Sequence, residues 1–464
     1  MPVRALHDEI REANRAYLAL PRHEGDARAI LARKLETAFW RRATLDRLLR
    51  AGESEVAEPD GLAEAILALG LHLGGGDLDR LRRIVGGGEP YGRVLAQQGV
   101  RWPRTPEVHD LAGPDVDLKI QANRDSPWPL EKWRKITAFS EYRFEGGAIH
   151  YRGLVLWPGD VILANVNLDG NFVYSSLSDP KCVFTHSAVV TVFQEGARRF
   201  PAVVETYEKG VRAIPLSIFL NARFLAYGEL YRHRGLTLAH GERLAAAAAA
   251  MVRDTRGYNC TSWSDDRAYL SCTAVGRFLL EDVGLDGVGP RSAIVHPRVR
   301  ENLALVGYGH FEPFFTPVDY LLNPYFTLVG VVDNNQFDRL LARELVEQGF
   351  RRGFETRRLE PRLLPPEYLV NRFALGQIRA RTALGGVISR AVGFTPRNLP
   401  KGPDAMMAGI VPAEKQFGKA VRKLLPAVAT HVAREGRFSF EETMADPHLQ
   451  DLRDQALRLR WLVS

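Results

Sequence analysis

Three side chains in the middle of this chain have the types that thiol chemistry needs. His186 stands in the apolar run VFTHSAVV at 183–190, Glu205 in AVVETY at 202–207, and Cys272 in YLSCTAVGRFLL at 269–280. Alternation in the first run puts His186 on the face of Phe184, Ala188 and Val190, which makes it a buried imidazole. A buried histidine must have both ring nitrogens satisfied or be engaged in chemistry. From Cys272 onward, Val275, Phe278, Leu279 and Val283 recur at helical spacing, so Cys272 falls in a first helical turn with Ser271 as N-cap. Free backbone N–H groups and the helix dipole at that position stabilise a thiolate, and the same N–H groups can hold a developing oxyanion. A thiol nucleophile needs an imidazole to move its proton and a third polar group to hold the imidazole tautomer. Each residue taken alone has a commoner role: a hydrogen-bonded core histidine, a small buried hydrophobe at a helix start, and a strand-end charge facing solvent. Cys182, just before a strand, and Cys260, after a Gly-Tyr-Asn turn, lack the setting of Cys272.

The elements that must position these residues change type along the chain. Residues 3–50 read as helix, with Ile10, Ala13 and Tyr17 and then Ile30, Leu31, Leu35 and Phe39 at helical spacing. Shorter helices continue over 60–98, broken by glycine runs at 74–76 and 86–88. Neither run follows a strand or precedes Gly-Lys-Ser/Thr, so both read as connectors rather than phosphate loops. Residues 101–130, rich in Pro, Asp and Asn, read as a linker or wrapping segment. From about 150 come short β-rich runs separated by turn signals: GLVLWPGDVILANV, FVYSS, CVFTHSAVVTVF, AVVETY and GVRAIPLSIFL. Helices follow at 238–254 and from Cys272, and the chain is helical again after 335, where RRGFETRRLEPR at 351–362 reads as a solvated helix face. The expected division is a helical region and linker at 1–125, an α+β centre at 126–334, and a helical region at 335–464.

The order His186, Glu205, Cys272 resembles the circularly permuted branch of the NlpC-type papain-like cysteine hydrolases, the YiiX-like group. In that branch the histidine strand precedes the cysteine helix. LWPGDVILANV at 156–166 is similar to the family's opening strand, FTHSAVV to its histidine strand, and VVETYEKGVRAIPLSIFL at 203–220 to its acidic segment. GYN at 257–259 resembles a Gly-x-Tyr-Asp element, and FFTPVDYLLNPYF at 314–326 a closing Thr-Pro-x-Asp segment. The chain departs from the family at Thr273 and Ala274, where Ser and an acidic or amide residue are usual, and at Asn259. The resemblance spans roughly 150–330. It implies an antiparallel sheet packed on the cysteine helix, with Cys272, His186 and Glu205 catalytic. It also implies that Tyr258, Ser271, Thr185 and Asp160 line the oxyanion or substrate site, although Gly-Asp before a strand is most often turn chemistry.

Composition narrows the rest. The 464 residues carry 62 basic and 55 acidic side chains, a net charge of +7, interspersed rather than clustered, which points away from nucleic acid. Three cysteines without a CxxC pair make neither a disulfide framework nor a zinc site, and no cofactor or metal is expected. The charged N-terminus has no apolar signal core, and no stretch approaches the ~20 apolar residues of a membrane span, so a cytoplasmic protein is expected. The expected function is cysteine-dependent hydrolysis of an amide, ester or thioester, the substrate being acyl, peptide or lipid-like. Acyl transfer through the same centre, and a non-catalytic scaffold with a degenerate centre, are the other two readings. The helical flanks are candidates for shaping a substrate groove or for oligomer contacts.

Overall fold

A computed structural model of the chain describes residues 3–97 and 142–463, apart from 24, 55–57, 168–171, 196, 208–209, 222–223, 260–265, 286, 306–310, 312, 360–365, 393–403 and 458–461. The expected linker at 101–130 and Cys260 lie outside the described residues.

Five helices open the chain: α1 (Val3–Leu18), α2 (Ala27–Glu53), α3 (Pro59–Leu69), α4 (Gly75–Val85) and α5 (Glu89–Gln97). A small antiparallel sheet, β1 (Arg143–Glu145), β2 (Ala148–Tyr151) and β3 (Leu154–Leu156), precedes the main one. The main sheet holds β4 (Val161–Val166), β5 (His186–Glu195), β6 (Arg198–Tyr207), β7 (Gly210–Pro215), β8 (Leu225–His233) and β11 (Phe326–Asp333). Its order is β11-β8-β4-β5-β6-β7, and every neighbouring pair is antiparallel. Between these strands come α6 (Phe172–Leu177), α7 (Leu216–Phe219), α8 (Gly241–Asp254), the short parallel pair β9 (Gly257–Tyr258) and β10 (Tyr269–Leu270), the cysteine helix α9 (Cys272–Asp282), α10 (Pro297–Leu305) and α11 (Val318–Leu321). The run FVYSS, expected among the β-rich segments, is helical instead, as α6. After the sheet follow α12 (Phe337–Thr356), α13 (Pro366–Arg379), α14 (Ala383–Val392), α15 (Asp404–Glu435), α16 (Phe440–Ala445) and α17 (Pro447–Ala456). The fold is mixed α and β, an antiparallel sheet between helical flanks.

All six residues of β4, Val-Ile-Leu-Ala-Asn-Val, are buried. That run, apolar except for the hydrogen-bonded Asn165, is what a strand covered on both faces requires. Leu163, Val203, Ile214 and Leu279 are wholly buried, each worth roughly 2 kcal/mol against exposure. The flanks share this core. Leu31, Leu35 and Ala38 from the first half of α2 join it, as do Leu341 and Leu345 of α12 and Leu424 and Val428 of α15. The second half of α2 instead gives Leu45, Leu48 and Leu49 to a separate cluster with α3 to α5. One long helix therefore bridges two apolar clusters.

Polar groups buried with α1 and α2 fix that arrangement. Lys34 Nζ donates to Asn165 Oδ1 of β4 (2.8 Å) and to the Val183 carbonyl (2.9 Å), three residues ahead of His186. Burial lowers its pKa to about 8. Glu229 of β8 accepts from Tyr17 (2.5 Å) and Tyr231 (2.6 Å) and pairs with Arg22 at 3.0 Å. Among the described residues no helix is long and apolar enough to cross a membrane.

Candidate active site

The site forms where the main sheet stops pairing. Strands β5 and β6 pair from Glu195 and Arg198 only as far as Val189 and Val204. Beyond that point β6 stays paired with β7, Glu205 opposite Arg212, while β5 stays paired with β4, His186 opposite Ala164. A mouth opens between the two strands, with His186 and Ser187 on one lip and Glu205 and Thr206 on the other. The Ser187 N–H, which no neighbouring strand takes up, donates to the Cys272 sulfur instead.

The cysteine helix closes the mouth. Ser271 is its N-cap in extended conformation, and its hydroxyl accepts from the Ala274 N–H at 3.4 Å. The first-turn N–H groups at Cys272 and Thr273 have no partner within the helix, as at any helix start. The Thr206 hydroxyl donates to the Ser271 carbonyl (3.1 Å), tying the cap to β6. Behind the helix, Tyr320 of α11 donates to the Thr273 carbonyl at 2.8 Å. A Cβ on Gly276 would clash with the Tyr320 hydroxyl and crowd Val189, so only glycine lets the helix sit this close. Asp319, from the same Thr-Pro-Val-Asp segment, accepts from the Thr316 and Arg291 N–H groups, each at 2.6 Å, and burial pushes it up to about 7.

The three expected catalytic residues come together. His186 Nε2 lies 2.6 Å from Glu205 Oε2, which leaves Nδ1 for its hydrogen bond with Cys272. Glu205 is 1% exposed and is held on its other oxygen by Arg212 Nε at 2.6 Å. Burial opposes its charge, but Arg212 and His186 outweigh that and keep the carboxyl below its ordinary range. Burial likewise disfavours a charged His186, yet the thiol and Glu205 raise it to about 10. For Cys272 burial works against the thiolate, and His186 together with the Ser187 N–H overcomes it, lowering the thiol. Cys182 shows what burial does without such partners. Its thiol donates to the Phe184 carbonyl (2.8 Å) and is pushed up to about 12.

The alternation holds, and the register shows which face of the sheet His186 takes. Val189, beneath Gly276, and Thr206, on the Ser271 carbonyl, belong to the helix-covered face of the sheet. In the observed register His186, Ala188 and Glu205 alternate to the other face. His186 is buried as expected, but it meets the thiol through the mouth between the strands rather than across one face.

The remaining expected site residues divide. Ser271 is present as the helix cap. Tyr258 pairs in register with Leu270, two residues before Cys272, which brings its strand to the entrance of the helix. The Thr185 hydroxyl, next to His186, donates to the Ala164 carbonyl at 3.3 Å and ties β5 to β4. Asp160 is fully buried at the far end of β4, bound by the Trp157 N–H (2.7 Å) and by two nitrogens of Arg232 (2.7 Å each), so it holds a turn to β8. Arg212 and the Ser187 N–H were not foreseen. Arg212 was within reach of the sequence: counting outward from the turn after Tyr207 places it opposite Glu205.

Among the described residues no group of three or more His, Cys, Asp or Glu side chains could hold a metal ion. The chain was compared with protein-family models, with curated proteins and with solved structures, and none of them matches it.

Proposed function

We propose that the protein is a cysteine-dependent hydrolase of the permuted papain-like kind, working through a thioacyl-enzyme. The observation that carries this reading is the unbroken line Cys272–His186–Glu205–Arg212, in which each group favours the charged form of the next. In the resting state the thiolate faces an imidazolium. The Cys272 sulfur attacks the carbonyl carbon of an amide, ester or thioester and a C–S bond forms. The bond to the leaving group breaks as His186 gives that group its proton. A water then passes a proton back to His186, its oxygen adds to the thioester carbonyl, and the acid and the thiolate are released. The backbone N–H groups of the first turn of α9 stabilise the oxyanion in both steps, with Tyr258 as a second donor. Transfer to an amine or alcohol uses the same first half.

Alkylation of Cys272 by iodoacetamide, followed by peptide mass across pH, tests this. The wild-type midpoint is expected well below the ~8.5 of a free thiol, and His186→Ala is expected to raise it. If the two curves share one midpoint near that of free cysteine, His186 is a packing residue and the chain is a scaffold.

A further inference from the structure

The helical pair α13–α14 leaves uncovered an apolar surface that no step of the chemistry uses. Among the described residues, eleven large apolar side chains stand exposed, and six of them belong to these two helices. On α13 they are Leu369 (61%), Val370 (64%) and Phe373 (56%), which share one face by their spacing. Tyr368 and Ile378, on the opposite side of α13, are buried. On α14 they are Leu384, Val387 and Val392. The helices are locked together: a Cβ on Gly385 would overlap the Gln377 carbonyl, so backbone lies against backbone. The exposed residues therefore sit on a rigid wedge.

The charges flanking the wedge identify its occupant. Residues 366–392 contain four arginines, Arg372, Arg379, Arg381 and Arg390, against one acidic residue, Glu367. Arg372, Arg381 and Arg390 are exposed. An apolar helix face rimmed by arginine is suited to the boundary between acyl chains and anionic headgroups, where the apolar side chains enter and the guanidinium groups stay at the phosphates. With 14 and 10 residues the helices are too short to span, so they would lie in the plane of the surface. We propose that α13 and α14 form a wedge that docks the protein on an anionic lipid bilayer.

Flotation of the full-length protein with vesicles tests this, using phosphatidylcholine alone and phosphatidylcholine with one third phosphatidylglycerol. The wild type is expected to float with the anionic vesicles. Leu369→Glu with Phe373→Glu should lower the partition coefficient at least tenfold on both vesicle types. Arg372→Ala with Arg390→Ala should lower it about tenfold on the anionic vesicles only. Melting curves and Cys272 alkylation should match the wild type in both variants. Should the double glutamate variant melt early, Phe373→Ser repeats the comparison. Absence of wild-type flotation, or flotation unaffected by either pair, overturns the proposal. So does a wild-type dimer, seen by light scattering, that the glutamates split while no vesicles are bound, because the wedge is then a self-contact.

Discussion

Glu205 and Glu229 are two carboxylates buried in one sheet, and they serve opposite ends. Glu229 accepts from Tyr17, Tyr227 and Tyr231 and pairs with Arg22. Burial and the Glu229 charge raise all three phenols above their ordinary value, so the three hydroxyls hold their protons more firmly than free phenols do. Glu205 has one fixed cation, Arg212, and one partner whose proton can leave. The other nitrogen of that partner reaches a thiol. The lesson is that burial and a satisfied carboxylate do not separate a staple from a candidate site. The titrating neighbour does.

The sharpest break in the comparison comes from the proton carrier. His186→Ala or Cys272→Ala should cut turnover of an activated ester by about a thousandfold or more with the melting temperature little changed. The reverse pattern belongs to the other carboxylate. Glu229→Ala strands Arg22 in the core and should cost about 3–5 kcal/mol in urea unfolding, while alkylation of Cys272 in the folded fraction keeps its pH midpoint. Glu205→Gln is the intermediate case. The ring keeps a partner but loses the charge, so turnover should fall roughly 10- to 100-fold and the His186 pKa should drop, read as an earlier alkaline limb of the rate profile.

The smallest effect concerns pH and stability. His186 is raised in the fold from 6.5 to about 10, so its contribution is complete below 6.5 and is lost as pH rises through 10. Cys272 is lowered from 9.0, so its contribution is complete above 9.0 and is lost as pH falls through its folded value. Where the pH lies above both 6.5 and the folded value of Cys272 and below 9.0, the two slopes have opposite signs and cancel. The stability difference between wild type and a Cys272→Ala/His186→Ala protein should be flat there and shrink as pH rises from 9.0 toward about 10. A steady slope across that window would show that the pair does not share its charge as described.

How much of this the sequence carried depended on distance along the chain. The Ser271 cap, the helical face behind Cys272 and the burial of His186 follow from local periodicity, and each is present. The mouth between β5 and β6 does not, because where a ladder ends is decided by β7 and β4 competing for the two strands. The mixed allegiance of α2 was hidden for a related reason. Its apolar spacing is continuous, and nothing local marks the change of partner between Ala38 and Leu45. Asp160 and Thr185 had the residue types of a site but belong to turn and strand-entry bonds, which motif position alone does not distinguish.

The bond from the Ser187 amide to sulfur gives the protein a built-in gauge. Its proton is shielded by an atom that changes charge and can be chemically capped, whereas the amides around it are shielded by carbonyls that do neither. In a nitrogen–proton correlation spectrum that single resonance should move as the thiol titrates. After acylation or alkylation it should lose its protection from solvent exchange, while Val190, whose amide is bonded to the Asp160 carbonyl at 2.8 Å, stays still. The state of the Cys272 thiol could then be followed without a substrate, from the backbone of the strand beside it.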